Sequence, residues 1–88
     1  MSDDTIDDLV RALAAQERAE EALAKATHAL AEAGERAEDD PDAATKVERC
    51  RQRYEAAEAA VGFARGRRRE LEARLDPVEV ARVYAGRR

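Results

Sequence analysis

Two heptad patterns between Ile6 and Leu71 fit each other, and that fit leaves the chain few folds to adopt. With Ile6 as position a, the core positions of the first half are Ile6, Leu9, Leu13, Gln16, Glu20, Leu23, Thr27 and Leu30. With Val47 as position a, those of the second half are Val47, Cys50, Tyr54, Ala57, Val61, Ala64, Arg68 and Leu71. If the second half folds back antiparallel, every a position can face a d position when the two residue numbers sum to 77. That alignment pairs Leu30 with Val47, Leu23 with Tyr54, Leu13 with Ala64 and Ile6 with Leu71, and it reverses the chain between Ala37 and Asp40. A stripe repeating every 3.5 residues on two consecutive segments predicts an all-α helical hairpin with coiled-coil packing.

Composition supports helix over a mixed core. Apolar residues make up 44% of the 88, but 21 of them are alanine, and 41% of the chain is charged. Alanine, glutamate and arginine at this level with a heptad period read as long helix or coiled coil. A two-helix hairpin has a single internal seam, and chains of this length often gain stability by associating. The expected architecture is therefore a hairpin over residues 1–75, with helices at about 6–37 and 41–75. A short helix and basic tail over 76–88 follow, and two hairpins dimerise into a four-helix bundle.

The boundaries come from local signals. Thr5 followed by Asp8 resembles a capping box with Asp in place of Glu, and Asp7 and Asp8 suit the positive end of a helix dipole. Arg11, Arg18, Lys25 and Glu32 give the first helix a charged back, and Gly34 is a candidate stop. Asp40-Pro41 is a helix start, and Asp76-Pro77 repeats it with Glu79 at the capping-box position. The last segment should form a helix from Pro77 to about Ala85, stopped by Gly86. A kinked continuation of the second helix is the alternative. Gly62 and Gly66 weaken the second helix by about 1 kcal/mol each relative to alanine.

Three surfaces stand out. The first is a face of small residues on the edge formed by the g and c positions of both helices. Ala12, Ala15, Ala19, Ala22, Ala26, Ala56 and Ala60 lie there with a lone Phe63. Small side chains let helices approach closely, and Phe63 beyond the seam marks this face as the dimer interface. The second is the C-terminal segment, where Leu75, Val78, Val80, Val83 and Tyr84 extend past the last layer of the hairpin. They either fold back on it or anchor a partner protein as a helix in a groove. The third is Arg65, Arg67, Arg68 and Arg69, a candidate nucleic-acid contact. In the sum-77 alignment Asp3, Asp4, Asp7 and Asp8 lie against these arginines, which would weaken a phosphate-binding field. Arg82, Arg87 and Arg88 remain as uncompensated bases.

The chemistry of catalysis is sparse. Gln16, Glu20 and Arg68 occupy core positions, where polar residues fix register or partner number at a cost in stability. An enzyme would need these three to meet in one pocket. Cys50 reads as a small buried apolar residue and His28 as an exposed one, on different faces. No cysteine cluster or Glu-x-x-His pair suggests a metal, and no glycine-rich loop suggests a nucleotide cofactor. Net charge is −4 overall, divided as −9 over residues 1–44 and +5 over 45–88. No apolar run is long enough to span a membrane, and the acidic start is unlike a signal peptide. The expectation is a cytoplasmic, non-enzymatic structural or adaptor module without cofactor, acting as a homodimer that binds another protein through its C-terminal segment or alanine face. That class includes a small regulator or inhibitor of a larger complex. The alternative is a small dimeric nucleic-acid binder using the Arg65–Arg69 end, distinguished by steeply salt-dependent binding.

Overall fold

The computed structural model describes residues 2–87. Helix α1 spans Ser2–Glu35, α2 spans Ala43–Ala73 and α3 spans Pro77–Ala85, with a 3₁₀ turn at Ala37–Asp39 between the first two. No strand occurs among the described residues. α1 and α2 pack side by side as a hairpin, in a molecule that extends 57 Å along its longest axis.

Each boundary has a local cause. α1 begins at Ser2, so Thr5 falls within its first turns rather than at a cap, and Asp4 and Asp7 are exposed near the positive end of the dipole. Gly34 does not stop the helix, which runs on to Glu35; none of the described glycines has a positive φ. Asp40 has the extended backbone imposed on a residue before proline, and its Oδ1 accepts a 2.8 Å hydrogen bond from the Asp42 N–H. The first backbone-to-backbone bond after Pro41 spans three residues, from the Ala43 N–H to the Asp40 carbonyl at 3.1 Å. The α-helical ladder therefore starts at Ala43, two residues later than the Asp-Pro signal alone suggests. α2 ends at Ala73 rather than continuing through Pro77. Asp76 and Glu79 form a reciprocal capping box: the Glu79 N–H donates to Asp76 at 2.9 Å, and the Asp76 N–H donates to Glu79 at 3.3 Å.

The heptad phase is borne out. Leu9, Leu13, Val61, Ala64 and Leu71 are buried, and the other a and d residues are half-buried except Thr27. Thr27 is exposed and turns its hydroxyl back to the Leu23 carbonyl at 2.8 Å.

The pairing differs from the sum-77 alignment. Leu9, Ala12, Leu13, Leu71, Leu75 and Val83 form one buried cluster, with Ile6 and Val80 packed against it. Ala64 is buried but stands outside that cluster, although the sum-77 alignment would set it against Leu13. The grouping fits a pairing one heptad further on, where residue numbers sum to 84. Leu9 then meets Leu75, Leu13 meets Leu71, Gln16 meets Arg68 and Leu23 meets Val61. The 3.4 Å ion pair between Arg65 and Glu20 agrees, since 65 and 20 sum to nearly 84. The slip sets leucine against leucine, where the sum-77 alignment would oppose Leu9 with Arg68. It also brings polar Gln16 into the layer of Arg68, so fewer apolar groups face charge.

α3 closes the open end of the hairpin. Val83 is only 7% exposed and Leu75 only 9%, both in the cluster of Leu9 and Leu71. Arg87 pairs with Glu17 on α1, and the Tyr84 hydroxyl donates to Glu72 on α2. Val10 and Glu17 occupy e positions of α1, and Glu72 an e position of α2. α3 thus reaches toward the e side of the hairpin through Arg87 and Tyr84; on the g side Ala12 is buried with Val83, and the g residues from Ala19 onward are half-buried or exposed.

Candidate interaction surfaces

The alanine face is divided by burial. Ala12 is taken up by the chain's own core. Ala15, Ala19 and Ala26 are half-buried, while Ala22, Ala56 and Ala60 are exposed. Phe63 is 79% exposed, the most exposed large apolar side chain described. It stands over a shallow depression with Gly66, Arg67 and Glu70. These residues share the g side because the seam residues between them point into the hairpin.

The C-terminal residues are divided as well. Leu75 and Val83 are core residues and Val80 packs against them, because the hairpin's last leucine layer would otherwise lie open to water. Val78 is 60% exposed and Tyr84 40%. Between α3 and α1 runs a groove with Ile6, Val10 and Val83 in its floor and Arg82 and Arg87 at its rim. Burial first, and the hydrogen bond to Glu72 second, push the Tyr84 hydroxyl above its ordinary pKa.

The arginine cluster finds different partners from those the sum-77 alignment assigns. Arg65 pairs with Glu20 at 3.4 Å, Arg67 with Glu70 at 3.7 Å and Arg68 with Glu72 at 3.6 Å. Asp8 pairs with Arg11 of its own helix at 3.4 Å. With the pairing shifted by a heptad, Asp8 lies level with Asp76 rather than Arg69. Arg69 is exposed and has no ion pair among the described residues. The Asp3 side chain and Arg88 lie outside the described residues.

Gln16, Glu20 and Arg68 do converge. Gln16 donates to the Glu20 carboxylate at 2.9 Å, and that bond, helped by Arg65, holds the Glu20 carboxyl below its ordinary range. Gln16 Oε1 and Arg68 Nε are buried with no hydrogen-bond partner. This layer interrupts the apolar seam between Leu13 and Leu23, as a register-fixing polar layer does. The depressions at the tip, beside Phe63 and between α1 and α3 are lined by other residues.

At the hairpin's tip, Cys50 is a half-buried free thiol lining a recess of about 280 Å³. Its walls carry Arg36, Lys46, Arg49 and Arg53. Sequence reasoning passed over this feature, although bases at 46, 49 and 53 beside Cys50 share one side of a helix and were legible as a stripe. His28 lies nearby on the surface, 2.9 Å from Glu32. Among the described residues no group of three or more His, Cys, Asp or Glu could hold a metal ion, and no helix is long and apolar enough to cross a membrane. Compared with protein-family models, curated proteins and solved structures, the chain matches none.

Proposed function

We propose that this chain is a non-enzymatic structural or adaptor module that works by docking its g side against another helical surface. The observation that carries this reading is Phe63, 79% exposed on the g side, with exposed Ala22, Ala56 and Ala60 on the same side. A rigid aromatic ring with alanines on the preceding turn and Arg67 and Glu70 on the following one is the arrangement of an apolar anchor with a charged rim. The first partner is a second copy, giving a four-helix bundle. The exposed tail residues Val78 and Tyr84 offer a smaller contact for another protein. Nucleic-acid binding is the weaker reading, because Arg65, Arg67 and Arg68 each face a glutamate.

The test is Ala19→Glu with Ala60→Glu, read by light scattering at high protein concentration. Charge placed in a close helix contact should convert dimer to monomer while circular dichroism stays that of the wild type. Phe63→Ala alone should weaken the dimer. A wild-type monomer, or an unchanged mass in the double variant, would remove the second copy from this face.

A further inference from the structure

We infer that the recess at the hairpin's tip is a binding site for a compact polyanion of the phosphate-ester class. It lies beyond the alanine residues assigned to docking and shares none of them. Ala29 and Ala33 of α1 and Ala43 of α2 line it, and their short side chains leave the space between the helices unfilled. A volume of about 280 Å³ falls just below the range for drug-sized ligands, which suits a small charged group.

Charge decides the ligand's sign. Four basic side chains and two acidic ones line the recess. Asp40 is already paired with Lys46, and the Glu32 carboxylate lies 2.9 Å from the His28 imidazole. Among the described residues Arg36, Arg49 and Arg53 have no ion pair, so three guanidinium groups keep their donors for an incoming anion. The end of α1 and the start of α2 meet here with opposite dipole ends, so the backbone contributes little net field and the side chains set the potential. Guanidinium forks match phosphate oxygens in geometry as well as charge. Arg49 and Arg53 are one helical turn apart on α2, and Arg36 reaches in from just beyond the end of α1. Three donors therefore approach from two elements. In a chain with net charge −4, this is a local reversal of sign.

Cys50 supplies a reporter, because the only cysteine of the chain lines the recess. Inorganic pyrophosphate is titrated into the full-length chain at fixed ionic strength, with backbone amide shifts and the rate of Cys50 alkylation by a neutral reagent as readouts. Saturable shifts confined to residues 29–36 and 43–53, with slower alkylation, are expected. Arg49→Gln with Arg53→Gln should weaken pyrophosphate binding at least about ten-fold. Ala33→Met should block it by filling the recess while leaving every charge in place, and Arg69→Gln should change nothing. The Met variant also carries the test if the double Gln variant fails to fold. Shifts that never saturate, equal binding by the Met variant, or an equal loss with Arg69→Gln would each reduce the recess to diffuse surface charge and overturn the assignment.

Discussion

Val83→Ala measures how much α3 contributes to the fold. Val83 is 7% exposed within the cluster of Leu9, Leu71 and Leu75, and Val78 on the same helix is 60% exposed. The substitution removes two buried methyl groups, worth about 1.6 kcal/mol at roughly 0.8 kcal/mol each, and the cavity left behind adds to that. Alanine is the better helix former by about 0.5 kcal/mol, but that gain applies equally at position 78. The difference between Val83→Ala and Val78→Ala therefore isolates burial, at about 1.5–2.5 kcal/mol. For a domain of this size that corresponds to a gap in Tm of roughly 6–20 °C. Urea melts of both variants at one fixed protein concentration provide the comparison, since association would shift both curves. Equal midpoints would refute a folded-back α3 and return the tail to service as a free anchor for another protein.

Three further perturbations probe the other elements. In a Cys50→Ala background, cysteines at Leu23 and Val61 should cross-link within one chain and cysteines at Leu23 and Tyr54 should not; the reverse would restore the sum-77 pairing. An added Cβ at Gly62 or Gly66 meets nothing within 4 Å, so each Gly→Ala change should stabilise by about 0.5–1 kcal/mol in a urea melt, and a loss at either site would expose an unseen contact. The Glu79 N–H holds the Asp76 carboxyl below its ordinary range, so this cap's stabilisation is fully present above the unfolded pKa and is lost as pH falls through the lower folded one. Carbon chemical shifts of residues 77–85 should stay helical down to about pH 4 and decay below it. Asp76→Asn, which caps without titrating, should blunt that decay, and an identical decay would assign it to other groups.

Residue spacing alone was enough to show which residues face inward and where the chain turns. Heptad phase follows from side-chain spacing on a helix, and each a or d residue from Ile6 to Leu30 and from Val47 to Leu71, apart from Thr27, is at least half-buried. The start of α3 was legible too, because Asp76, Pro77 and Glu79 act within one turn of backbone. The pairing of the two helices was settled by three-dimensional packing. A slip of seven residues leaves every side chain in its heptad position, so the pattern is blind to it, and the choice falls to how well whole layers match. The meeting of Leu9 and Leu13 with Leu71 and Leu75 made that choice. The arginines' partners, the side toward which α3 reaches and the recess at the tip all depend on it, since each brings together residues remote in sequence whose relative height only the register sets.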